Sequence, residues 1–527
     1  MQVFKLIMFL SVVFHSVQVS ANFFEKLDKG IKKFGEDVQK VSDALDTPKN
    51  NAQQNKPARK EVNQNHREGN DSKNENNIYY SGYSRAFKPV KALYSTGNLQ
   101  GIDSFYRSRE ERLLDGGAIW SSVEKVGLLR WMERGTLYLD QGNKDDAIRS
   151  LANAEMVLEL RSDDSELEEL AEDGFITLLE SVTGMEEFSK YPGEGFEKVL
   201  MLNYKSIAYL LNGDRKAYNV TRRAIDWQDI ERRKFDAKLR AANQKLEKER
   251  EESSNSQDEG QWASSYNKYD KIANQVSSAY VNPFGYYVAG MVQDFESRKD
   301  GSLRANARIS YEKALGLNPN SEAIEKALSD IKNRKLDNNI RLLHVVVANG
   351  FAPERKVLEY GFDSKGRTVP IKLPIYEPVE SKVKRIELKS ISGKHITTLT
   401  QIANIEAITM RHQKDSAAFR NLKVLLSVAR AIGVNTATKK IPILGEWLNS
   451  VATPDTRSWM SLPAEMLGAR VRLLKRVNKI RIVSYDQHNR VLSDKVINLD
   501  DGSDNFVYAR SVDDHIYANS SRKLWTF

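Results

Sequence analysis

Cysteine is missing from all 527 residues, which excludes disulfides, cysteine nucleophiles, zinc ribbons and thioether-linked lipid anchors. Stability must then come from packing alone, even in an oxidising compartment. Histidine is scarce. His15, His66, His344, His395, His412, His488 and His515 are scattered, with no two at metal-ligand spacing, so neither a metal nor another cofactor is expected. The chain also lacks a phosphate-binding glycine loop, a nucleophile elbow and a zinc-protease helix. Neither sign of charge dominates: 80 Lys and Arg face 71 Asp and Glu, a net +9. That balance argues against a nucleic-acid partner, which would call for a concentrated basic face. It leaves room for weak attraction to anionic surfaces such as lipid headgroups or cell-wall polymers. Long apolar runs are absent too; residues 422–434 come nearest, but Lys423 and Arg430 interrupt them.

What is present begins with an address. Residues 1–21 carry Lys5, an apolar stretch over 6–14 and the small residues Val19, Ser20 and Ala21, the pattern of a cleaved signal peptide. The expected location is therefore exported: the periplasm, the outer-membrane surface or the medium. In residues 22–46, Phe24, Leu27, Ile31, Phe34, Val38, Val41 and Leu45 fall on one stripe of a helix. Such a helix suits docking on the protein's own body, self-association or contact with a membrane surface. Residues 47–77, rich in Asn, Gln, Lys, Glu and Ser, read as a disordered linker.

Residues 78–338 have helical periodicity, and within them a repeat recurs. Trp131, Gly135, Tyr138, Gly142, Ala147, Leu151 and Ala154 follow the tetratricopeptide pattern of large, small and aromatic residues on a first helix and small residues on a second. A looser copy has Leu202, Tyr209, Gly213, Ala217 and Ala224, and a third has Tyr286, Gly290, Ala307, Tyr311 and Ala314. Residues 339–527 change character: 342–347 read as a strand, 481–489 as a hairpin arm and its turn, and several prolines punctuate short segments. The expected fold is mainly α, a tetratricopeptide-type helical repeat domain followed by a smaller α+β domain. Stacked repeats line a concave surface with their first helices. The inward positions, and the expected partner-binding residues, are Leu129, Met132, Thr136, Leu139, Leu200, Asn203, Ile207, Leu210, Phe284, Tyr287 and Met291. The alternative for these side chains is burial against the same chain.

Four stretches occur in order: YPGEGFEKVL at 191–200, NPF at 282–284, ANGFAP at 348–353 and PDTRSWMSLPAE at 454–465. In these, over roughly residues 124–474, the chain resembles an uncharacterised family of bacterial envelope proteins with tetratricopeptide repeats, many of them lipoproteins. The resemblance implies a location and an architecture but no reaction, and it points toward outer-membrane and cell-wall assembly factors. This chain departs from it in lacking the lipobox cysteine, and the helix of residues 22–46 is a candidate substitute for the lipid.

Few residues offer chemistry. Glu194 reads either as a general acid or as the cap of the following helix. Asp455, Arg457, Trp459 and Glu465 form the other cluster: Asp455 capping a helix from Thr456, Arg457 pairing with a carboxylate, Trp459 and Leu462 anchoring the segment, or the acids forming a glycosidase-like pair. Residues 231–252 mix both charges at helical spacing, a solvated helix. The functional expectation is a scaffold or adaptor, not an enzyme, that binds an envelope protein or peptide through its groove. A cell-wall enzyme using Glu194, Asp455 and Glu465, and a self-associating surface subunit, are the rivals.

Overall fold

The computed structural model describes residues 83–102, 123, 126–163, 191–252, 260–333, 339–364, 367–421, 424, 454–500 and 502–524. The chain divides into two compact units, Met1–Gly69 and Asn70–Phe527. The signal peptide, amphipathic helix and nearly all of the linker expected from the sequence fall in the first unit, and all three lie outside the described residues.

The helices of the second unit are α1 (Tyr83–Ser95), α2 (Leu128–Gln141), α3 (Lys144–Asp163), α4 (Gly195–Leu211), α5 (Lys216–Glu252), α6 (Gly260–Asn267), α7 (Asp270–Ala273), α8 (Pro283–Glu296), α9 (Arg304–Leu317), α10 (Glu322–Lys332) and α11 (Ile405–Asp415). The strands are β1 (Ile340–Asn349), β2 (Glu354–Ser364), β3 (Arg367–Glu377), β4 (Arg385–Lys389), β5 (His395–Thr398), β6 (Thr400–Asn404), β7 (Glu465–Leu474), β8 (Lys479–Tyr485), β9 (Val491–Asn498), β10 (Asn505–Val512) and β11 (His515–Ser520).

Consecutive helices pack in pairs, α2 with α3, α4 with α5 and α8 with α9, and the pairs sit side by side. Small residues set this spacing. A Cβ on Gly135 would stand 2.4 Å from Leu151 Cδ2, and one on Gly290 would stand 2.7 Å from the Tyr311 ring. Local capping fixes the start of α8, where the Asn282 side chain accepts from the Gly285 N–H at 3.1 Å and Pro283 fills the first helical position.

The strands form a five-stranded sheet in the order β11-β10-β1-β7-β6, a four-stranded sheet β5-β4-β8-β9 and the hairpin β2-β3. β1 pairs parallel with β10 and antiparallel with β7. Alternation along β1 explains the layering. Leu342, Val346 and Ala348 join the core shared with the helices, while Leu343, Val345 and Val347 join the core shared with the four-stranded sheet. Both faces of β1 are buried, so its sequence reads as an almost continuous apolar run. The architecture is thus three layers: paired helices, the five-stranded sheet and the four-stranded sheet.

This corrects the expected fold class. Half of the interpretable chain is helical and 24% is strand, in a mixed α/β fold rather than a mainly α repeat domain with a small appendix. The physical reason lies in what periodicity reports. It shows that a helix has an apolar stripe, but not what covers it, and here the cover is the chain's own sheet. The passage from helices to strands near residue 339 falls inside one compact unit.

Candidate functional site

The side of the helices expected to line a groove is filled. Leu129, Met132, Leu139, Leu200, Ile207, Leu210, Phe284, Tyr287 and Met291 all belong to the main core, and Thr136 and Asn203 are buried beside them. Their neighbours in that core include Val346, Phe506 and Tyr508 from the sheet and Trp459, Met460 and Leu462 from residues 454–464.

Residues 454–464 were expected to begin a helix at Thr456; they do not, and their backbone runs extended into a turn. Other segments use its polar groups instead. The Trp459 N–H donates to Glu197 Oε1 at 2.9 Å, and the Arg457 carbonyl accepts from Arg355 at 3.2 Å. The Leu462 carbonyl accepts from the Ala352 N–H at 2.8 Å, and the Ala464 N–H donates to the Asn349 carbonyl at 2.9 Å. The Trp459 indole N–H donates to Ser461 Oγ at 2.9 Å, while Ser461 Oγ lies 2.6 Å from Thr136 Oγ1. Thr136, an expected groove residue, therefore holds this segment.

Around the start of α4 a polar cluster forms from residues far apart in sequence. Glu194 occupies the N-cap position, and Glu197 Oε2 accepts from the Glu194 N–H at 2.9 Å and from the Tyr191 hydroxyl at 2.6 Å. The Glu194 carboxylate pairs with Arg355 of β2 and, at 2.9 Å, with His412 Nε2 of α11. The Tyr280 hydroxyl lies 2.9 Å from His412 Nδ1. Facing the Glu194 carboxylate, His412 Nε2 is the donor of their hydrogen bond. Burial opposes charge on Glu194, but His412 and Arg355 outweigh it and hold the carboxyl well below the usual range. Glu197 goes the other way: burial and the adjacent Glu194 charge push it up, against hydrogen bonds from Tyr191 and two backbone N–H groups.

The remaining acids do not join this cluster as a catalytic pair. Asp455 accepts from Arg457 Nε at 2.9 Å and Nη2 at 2.7 Å, and Arg457 also lies over the Tyr191 ring. Glu465 accepts from Asn349 at 2.9 Å and from Gln401 at 2.7 Å. Glu194, Asp455 and Glu465 thus have separate hydrogen-bond partners, although the charges of Glu194 and Asp455 both act on Arg355. Each ring nitrogen of His412 and each carboxylate oxygen of Glu194 and Glu197 is engaged by the same chain. Among the described residues, no group of three His, Asp or Glu side chains is arranged to hold a metal ion.

Sequence reasoning missed His412, Arg355 and Tyr280. Their meeting is long-range, with Tyr280 and His412 132 positions apart in sequence, and no local pattern encodes it. The available signal was three of the four motif stretches, 191–200, 348–353 and 454–465. Tyr191, Glu194 and Glu197, Asn349 and Ala352, and Arg457, Trp459 and Glu465 bond to one another directly, and Arg355 follows the second of these stretches by two residues.

Two further buried networks bind the helices to the sheet. His344 and Arg470 face each other across β1 and β7 and meet Asp294 of α8, Arg470 Nε at 2.7 Å and His344 Nε2 at 3.4 Å. In the second network Asp140 of α2 accepts from the Tyr94 hydroxyl at 2.7 Å and the Tyr508 hydroxyl at 2.9 Å. Burial pushes the Asp140 carboxyl up to about 6, against the Arg510 charge and those two hydrogen bonds. A carboxyl that binds its proton more tightly folded than unfolded contributes most stability below its unfolded value, near pH 4. That contribution should fall by about 3 kcal/mol as pH rises through 6. In urea unfolding, Asp140→Asn should flatten this part of the stability–pH curve; unchanged slopes would show that Asp140 does not titrate there.

Searches against protein-family models, curated proteins and solved structures find no match for this chain. No described helix is long and apolar enough to cross a membrane.

Proposed function

We propose that the protein is an exported scaffold of the bacterial cell envelope that binds a protein partner on the outward side of its helical layer. One observation carries the reading. Three of the four stretches that give the chain its family likeness, 191–200, 348–353 and 454–465, interlock, and the interlock together with Arg355 and His412 engages the acids and the histidine that chemistry would need. A catalytic reading gains little support from Glu194, Asp455 and Glu465, because each is committed to its own partners. A partner on the expected groove residues would have to displace the sheet and residues 454–464. The outward side is different: Met156 and Leu160, one turn apart on α3, are 45% and 43% exposed. Export rests on the signal-like residues 1–21 and on the family resemblance.

A photoreactive residue placed at Met156 in the full chain, in cells, tests this. The expected result is saturable capture of one envelope protein, lost when Leu160→Glu is added to a chain that still folds. No capture there, together with turnover of a cell-wall substrate that Glu194→Gln abolishes, would replace the scaffold by an enzyme.

A further inference from the structure

The four-stranded sheet packs one face on the rest of the protein through Ile386, Leu388, Ile480, Ile482 and Ile497. The alternate residues of its strands face away. Residues 385–398 and 475–498, which build this sheet and its turns, hold nine Lys and Arg against three Asp and Glu. That net +6 compares with +9 for the entire chain.

The excess gathers at one end. Lys389 pairs with Arg481, and Arg481 with Val496, so the β4–β5 turn, the β7–β8 turn and the end of β9 lie together. Lys394, Lys475, Arg476 and Lys479 are exposed here, and none forms an ion pair with a described residue. Among them stand Ile391 at 49%, Leu474 at 43% and Val496 at 51% exposure, three of the seven exposed large apolar side chains in the described chain.

We infer that this end of the four-stranded sheet docks on an anionic phospholipid surface, the lysines and Arg476 meeting headgroups while Ile391 and Leu474 enter the headgroup–acyl boundary. Aliphatic tips ringed by cations suit that interface, since burial of the tips and attraction to the headgroups add. A sugar or phosphate polymer would gain nothing from the aliphatic side chains. It would use aromatic faces, and the single tyrosine of this sheet, Tyr485, is buried with Arg385 4.1 Å from its ring centre and Lys389 5.3 Å from it. The surface is independent of the protein-partner site on α3.

Co-sedimentation of the full chain with phosphatidylcholine vesicles, with and without phosphatidylglycerol, tests the inference. Binding should require phosphatidylglycerol and weaken with salt. Combining Lys394→Glu, Lys475→Glu, Arg476→Glu and Lys479→Glu should reduce it at least about a hundredfold, at roughly fivefold per cation, with an unchanged circular dichroism spectrum and melting point. Ile391→Ser with Leu474→Ser should weaken binding several-fold while leaving its salt dependence intact. Because residues 22–46 are present in every variant, the differences report the sheet alone. Equal binding by parent and charge-reversed chains would overturn the inference. So would linear polyphosphate competing as strongly as vesicles, with no effect of Ile391→Ser and Leu474→Ser, which would make the surface a polymer site.

Discussion

Arg470→Met should destabilise the protein by about 3–5 kcal/mol, the cost of leaving a buried charge without its partner. Asp294 is fully buried and receives Arg470 Nε at 2.7 Å, with His344 Nε2 at 3.4 Å among its other contacts. Arg470 also pairs with Asp330 at the edge of the site. Urea unfolding reads the loss. The double variant Asp294→Leu with Arg470→Met should recover most of it, because replacing both charges by apolar groups removes the desolvation penalty together with the attraction. The pair also has a pH signature. Burial opposes ionisation of Asp294, but the Arg470 charge and the His344 contact more than offset it and hold the carboxyl well below its usual range. A depressed folded pKa stabilises above the unfolded value near pH 4, and this stability is lost as pH falls further. Arg470→Met should therefore blunt the acid sensitivity of unfolding. A single variant as stable as the parent would show that the network does not join helices to sheet.

Trp459→Ala should cost about 3–5 kcal/mol, the range for deleting a large buried aromatic side chain. The indole packs 5.6 Å from the Tyr204 ring and fills the space between α2, α4 and the sheet. Trp459→Phe retains most of that contact and loses the hydrogen bond to Ser461, so it should cost about 1–2 kcal/mol. The backbone bond from residue 459 to Glu197 survives in both variants, so the difference isolates the side chain. A loss below about 1 kcal/mol for the alanine variant would mean that residues 454–464 are not the plug of the helical layer.

These two sites also show where sequence reading reached and where it stopped. Residues 342–347 were legible as a strand, because an apolar β-branched run needs no knowledge of its partners. The turn at 486–489 was legible from its own polar residues, and it lies between β8 and β9. Gly135 and Gly290 could be read as close-approach positions. The apolar stripe of Leu129, Met132, Leu200 and Phe284 was equally visible, but a stripe is satisfied by a foreign peptide or by the chain's own sheet. Nothing in 3.6-residue periodicity chooses between them. Arg470 and His344 are polar interruptions in mostly apolar strand sequence, and their purpose appears only when β1, β7 and α8 meet. Asp455 illustrates a local rule overridden: its side chain accepts from the Arg457 N–H as a cap would, yet the backbone that follows bonds to Glu197, Arg355 and Ala352 and forms no helix.

The central claim is that the protein's own residues 454–464 cover the helix faces expected to line a groove. A photoreactive residue at Thr136, whose hydroxyl lies 2.6 Å from that of Ser461, measures this most directly. On irradiation of the full chain in cells, the account predicts an intramolecular crosslink to residues 459–462 and no adduct of higher mass. Efficient capture of another protein through Thr136, with residues 454–464 unlabelled, would contradict it and return the groove to a partner.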